Sequence, residues 1–243
     1  LYIFGHKFTT IPKIIEYITF LSEVLPFAFC ILFFRKIKTN GLKVFFIYTI
    51  LLTIFVFIAT LSAYVFKTTG TYILTVKFYT LAEYCLFALF LSFYYNNLLI
   101  KKAIIFSIIP FTLYWTYDFK RNFSNYTIGP LLVEFLIFMI FIILFFYDRM
   151  HNDSVYPISL TISFWICVGL FIYFSGNFFY LIFSSYKKNN PFLLQIKYIY
   201  ATVTITKNII LSLSFLGTEK KDEDEFPRFP AELNLDSTIP FKN

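Results

Sequence analysis

Charge is scarce in this sequence: Asp, Glu, Lys and Arg make up 14% of its 243 residues, against roughly 25% in an ordinary soluble domain. Histidine is scarcer still, with only His6 and His151. Both lie outside the apolar runs, which excludes a histidine-built metal site. The three cysteines, Cys30, Cys85 and Cys167, have no metal-ligand spacing, and each sits within an apolar run, so buried free thiols are expected. Motifs of intramembrane hydrolases are missing as well: there is no His-Glu-x-x-His, no pair of spanning aspartates, and no Gly-x-Ser accompanied by a spanning histidine. No period of 20–50 residues repeats along the chain, so the duplicated halves common in transporters are not expected. These absences leave no catalytic residue, no metal site and no cofactor to assign.

Apolar surface is abundant. Hydrophobic residues make up 58% of the chain, including 36 Phe and 19 Tyr, and the mean hydropathy is +0.71. A soluble fold of this size has too little interior to hide that much apolar surface, so lipid must cover the remainder. The expected class is all-α, a polytopic membrane helix bundle of about seven transmembrane helices. The tyrosines are read as headgroup-level anchors. The net charge of +7 is spread over short loops between apolar runs. There it reports membrane orientation, and no nucleic-acid partner is implied.

A spanning helix needs about 20 mainly apolar residues. Runs of that kind extend from Ile11 to Phe34, Lys43 to Phe66, Tyr72 to Tyr95, Pro130 to Tyr147, Pro157 to Ser184 and Pro191 to Gly217. A shorter one, Lys101 to Tyr117, contains Pro110, which is expected to kink it. Asp118–Asn125 and Asp148–Asp153 read as polar loops. The first run is too long for the apolar core of a cleavable leader and lacks a small-residue cleavage site, so it is read as a span. Residues 1–217 thus form the bundle, and 218–243, with the run Glu219–Glu225, form a charged, extended tail.

Basic residues set orientation. Eleven lie on the side of the loops after spans one, three and five and the tail, and nine on the other. Arg35, Lys36, Lys38 and Lys43, around the first short loop, weigh most. They place the N-terminus outside and the C-terminus in the cytoplasm of a bacterial inner membrane.

Ionisable groups inside a bilayer cost several kcal/mol unless paired or hydrated, and so mark candidate sites. Glu23, Glu83, Glu134 and Lys207 qualify; Glu16 lies nearer a helix end. If every odd-numbered span runs inward, Glu23, Glu83 and Lys207 share a depth, and Glu134 lies nearer the outer face. Lys207 is therefore expected to pair with Glu83 or Glu23, as a buried ion pair or as part of a ligand site. Asn177 and Asn208 join the candidates because an amide in lipid must find partners. Gly169 and Gly176, seven apart on one helix face, are expected to admit a close neighbour. Lys207 in the last span also invites comparison with retinal proteins, but Val203 stands where a counter-ion would be expected.

The string Phe164-Trp165-Ile-Cys-Val-Gly169-Leu-Phe-Ile-Tyr173-Phe-Ser175-Gly176-Asn177, with Lys207-Asn208-Ile-Ile-Leu and Glu83, resembles a group of small, uncharacterised seven-helix membrane proteins of the Bacteroidetes. The resemblance covers most of residues 15–216. Members are often described beside sensor histidine kinases, which implies a sensory role by association. The expected function is a non-enzymatic sensor, receptor or accessory subunit. Its partners would be the bilayer and a protein, met in the membrane or at the cytoplasmic tail. The alternative is a small transporter or channel with a Glu/Lys ion path.

Overall fold

A computed structural model describes residues 13–62, 66, 68–95, 97–151, 158–186 and 192–218. The tail from residue 219, His6 and the side chain of Glu16 lie outside the described residues. Seven α-helices follow one another: α1 Lys13–Leu32, α2 Asn40–Thr60, α3 Thr69–Ser92, α4 Leu98–Arg121, α5 Gly129–His151, α6 Ile162–Tyr186 and α7 Phe192–Leu213. Six of these, α2 to α7, are long and apolar enough within their described residues to cross a membrane. The chain is an integral membrane protein built as an all-α bundle.

The helices form because a run of about 20 apolar residues in hydrocarbon can satisfy its own backbone N–H and C=O groups only as a helix, a β-barrel needing partner strands. Their hydroxyl side chains obey the same rule locally. Thr53 donates to Thr49 O at 2.9 Å, Thr75 to Thr71 O at 2.8 Å and Ser212 to Asn208 O at 2.7 Å, so these polar atoms are paired within their own turns. Helix starts carry the expected caps. Asn97 accepts from Leu99 N at 2.9 Å, Thr39 accepts from Leu42 N at 3.4 Å, and Pro130 stands in the first turn of α5, where a missing N–H costs nothing.

Two helices exceed their expected lengths. The α4 helix continues unbroken through Pro110 and past Tyr117 to Arg121. Its last turn is held from outside: Lys77 of α3 donates to Asn122 O at 2.5 Å and lies 3.9 Å from Asp118. Asp118 also accepts from Asn122 Nδ2 at 2.9 Å and Thr127 at 2.5 Å. Of the residues that read as a polar loop, 118–121 are thus a polar helix end with one partner on the neighbouring helix, and 122–125 are the turn that follows. The α5 helix likewise takes up Asp148, Arg149 and His151, and Arg149 reaches Tyr94 O at 3.1 Å. Composition marked the change of environment correctly, but hydrogen bonding carries each helix a turn further.

Sequential helices pack side by side, α7 closes the ring on α1, and α3 also meets α5. The broadest contact, α6 on α7, depends on the two glycines. A Cβ on Gly176 would lie 2.6 Å from Val203 Cγ2, and one on Gly169 would lie 3.2 Å from Ile210 Cγ2. At the end that carries the α1–α2 connection, Lys36 donates to Phe215 O at 2.8 Å and Gly217 O at 3.0 Å. This occupies carbonyls that the end of α7 leaves unpaired. Thr218 is pinned beside the start of α6 by bonds to Leu160 O and from Ile162 N.

From mid-depth to this Lys36 end the interior is solid aromatic packing. Phe138 stacks on Phe174 with centroids 5.2 Å apart, Phe87 meets Phe174 edge-on at 5.8 Å, and Phe45 meets Phe215 at 6.1 Å. All five rings are fully buried.

Candidate functional site

The opposite half of the bundle, toward the α4–α5 connection, is not filled. A cavity of about 570 Å³ reaches from the helix ends there down to mid-depth, within the size range of small-molecule sites, roughly 300–1,000 Å³. Helical spacing builds its wall. On α7, Tyr200, Thr204 and Lys207 follow at intervals of four and three residues, and on α6 Tyr173, Asn177 and Tyr180 do the same. Each set is one stripe of one helix. The α6 and α7 stripes lie in register, because Gly176 lets α6 rest on Val203. Tyr180 and Tyr200 accordingly meet with centroids 5.0 Å apart.

The cavity is layered by depth. Tyrosines 72, 126, 180 and 200 line its upper part. Tyr126, in the α4–α5 connection, is held neutral because desolvation raises its hydroxyl above the usual phenol range. One turn deeper lie Asn177 and Thr204, which are 2% and 1% exposed. Among the described residues the Asn177 amide and the Thr204 hydroxyl have no hydrogen-bond partner.

Glu23, Glu83, Lys207, Tyr79 and Tyr173 form the floor. Glu83 Oε1 accepts from Tyr79 at 2.7 Å and from Tyr48 at 3.3 Å, while its Oε2 is unpartnered. Lys207 Nζ rests over the Tyr173 ring, 4.2 Å from its centroid, a cation–π contact.

Four of the six candidates read from the sequence, Glu23, Glu83, Asn177 and Lys207, therefore line one cavity. Two do not. Asn208 faces α1, where its amide donates to Ser22 at 3.0 Å. Glu134 is wholly buried outside the cavity wall, and neither of its carboxyl oxygens has a partner among the described residues. The expected ion pair is also not made. Among the described residues the ion pair found is Lys77–Asp118, and Lys207 has no carboxylate oxygen within 4.0 Å. The Tyr79 and Tyr48 hydroxyls claim one oxygen of Glu83, and the Tyr173 ring holds the ammonium.

Of the tyrosine wall only Tyr180, expected with Glu134 and Asn177 around an outer cavity, is legible in the sequence; the cavity holds Tyr180 and Asn177 but not Glu134. Tyr72, Tyr79, Tyr173 and Tyr200 look like interfacial anchors by residue type, yet they face inward. Their spacing with Glu83, Asn177 and Lys207 was the available signal. Cys30 and Cys167 are buried free thiols and Cys85 is a half-buried one; no cluster of metal-ligating side chains occurs among the described residues.

Comparison with family models, curated proteins and solved structures found no match to this chain.

Proposed function

We propose that the chain is a non-enzymatic, receptor-like protein of a bacterial inner membrane that takes a small ligand into this cavity. The Bacteroidetes membrane group it resembles is proposed as its family. One observation carries the reading: a tyrosine-walled cavity has a charged floor at mid-depth and solid aromatic packing beyond it. A cavity that is mainly apolar, with a few convergent polar groups, is the usual form of a small-molecule site. An ion path through Glu23, Glu83 and Lys207, the alternative, would have to continue past Phe87, Phe138 and Phe174. Those rings pack against one another and leave no continuation. A closed far side suits a protein that reports a bound ligand to a neighbour, in the membrane or at the cytoplasmic tail.

Native mass spectrometry of the chain, extracted from its own membrane in mild detergent, tests the reading. The wild type is expected to carry a small-molecule adduct. Asn177→Phe, which fills the middle of the cavity, is expected to lose the adduct while keeping the helical circular-dichroism signal. An adduct equally retained by the filled variant would sink the proposal.

For orientation, reporter fusions at Asn97 and Asn243 are both expected to read cytoplasm. A periplasmic signal at Asn243 would reverse the proposed topology and place the cavity on the cytoplasmic side.

A further inference from the structure

The floor of the cavity holds opposite charges apart. Lys207, only 2% exposed, has an aromatic ring beneath its ammonium and no carboxylate oxygen within ion-pair distance. Glu83, 1% exposed, keeps one carboxyl oxygen unpartnered, and Glu23 lines the same space. A pair evolved only to hold helices together would close up, because mutual attraction in a low-dielectric interior is what offsets desolvation of the two charges. Here Lys207 on α7 and the carboxyl groups of Glu23 on α1 and Glu83 on α3 line one cavity without meeting, and Glu83 Oε2 is left without a partner among the described residues.

Such a gap is bridged by a molecule that carries both charges. We infer that the ligand is a small zwitterion, with a carboxylate for Lys207 and a protonated amine for Glu83 and Glu23. It also has an aromatic or bulky aliphatic body that lies toward the tyrosines. This rests on the reading of the cavity as a ligand site and specifies its chemistry.

The layers above the floor fit that assignment. Asn177 and Thr204, unpartnered and one turn above Lys207, offer an amide and a hydroxyl beside the bound head group. The tyrosines higher up offer ring faces and edges to an apolar body, and among the described residues no charged side chain lines the cavity above Glu23, Glu83 and Lys207. A ligand with one charge would leave the opposite charge of the floor unmatched. A neutral apolar ligand would leave both. An amino-acid head with a large side chain meets both signs, its single amine shared between the two carboxyl groups.

Three matched probes separate these cases: L-phenylalanine, 3-phenylpropionate, which lacks the amine, and 2-phenylethylamine, which lacks the carboxylate. Binding of each is measured by titration calorimetry on the full chain in lipid nanodiscs. L-phenylalanine is expected to bind at least tenfold more tightly than either fragment. In Glu83→Gln its advantage over 3-phenylpropionate is expected to shrink, and in Lys207→Met its advantage over 2-phenylethylamine is expected to vanish.

The wild-type comparison stands even if a variant fails to fold. Equal binding of the three probes would overturn the zwitterion assignment and leave the cavity as a ligand site. Binding of none of them would overturn the assignment too. The adduct experiment on Asn177→Phe would then decide separately whether the cavity takes any ligand.

Discussion

Gly176→Ala is expected to destabilise the bundle by about 2 kcal/mol, within the range for overpacking a close-packed interior. The added Cβ would sit 2.6 Å from Val203 Cγ2 and 2.9 Å from Cγ1, distances that real Cβ contacts do not show. Val203 cannot swing away, because a β-branched side chain in a helix has essentially one rotamer. The α6 and α7 helices must therefore separate along their broadest contact, and the loss exceeds the gain of about 0.5–1 kcal/mol from replacing Gly within a helix. Val203→Ala removes both offending methyl groups. The double variant should accordingly lie close to Val203→Ala alone, a coupling of about 1–3 kcal/mol between touching residues. Unfolding in mixed micelles, followed by circular dichroism, measures all three. Gly169→Ala should cost less, since its nearest contact would be 3.2 Å. A neutral Gly176→Ala would contradict this close approach of α6 and α7.

Glu134→Leu is expected to act in the opposite direction and stabilise the protein by about 2 kcal/mol. The residue is wholly buried, and neither carboxyl oxygen has a partner among the described residues. Burying an unpaired polar group costs about 1–3 kcal/mol on mutational evidence, whatever its protonation state. Leucine is of similar volume and satisfies a spanning helix better. The same unfolding experiment reads the effect. Because Glu134 lies outside the cavity wall, L-phenylalanine binding should be unchanged. A loss of stability would mean that Glu134 has a bonding partner and is part of the working machinery.

These expectations differ in how far the sequence leads to them. The glycine face was legible, because a separation of seven residues places two positions on one side of a helix whatever surrounds it. The depths of Glu23, Glu83 and Lys207 were legible for a similar reason: rise per residue converts position in a span into distance through the bilayer. That Glu134 and Asn208 stand outside the cavity was not legible. Depth leaves the angle around the helix axis free, and that angle has meaning only once the neighbouring helix is known. The ends of α4 and α5 read short in the sequence because part of what holds each is remote: Lys77 of α3 bonds the Asn122 carbonyl, and Arg149 bonds the Tyr94 carbonyl.

The sequence by itself determined the solvent, the number of helices and the scarcity of chemistry. In hydrocarbon an unpaired backbone group costs several kcal/mol, so a run of about 20 apolar residues has essentially one fate. The tertiary structure decided which polar groups meet. Lys207 could have closed on Glu83. It rests instead on Tyr173, while Tyr48 and Tyr79 hold the carboxylate. The tyrosines could have anchored the bundle at the lipid surface, but several of them wall a cavity. Those outcomes follow from the ring order of the helices and the register that Gly176 permits between α6 and α7. No local pattern encodes either, because each residue's environment is supplied by helices remote in the chain.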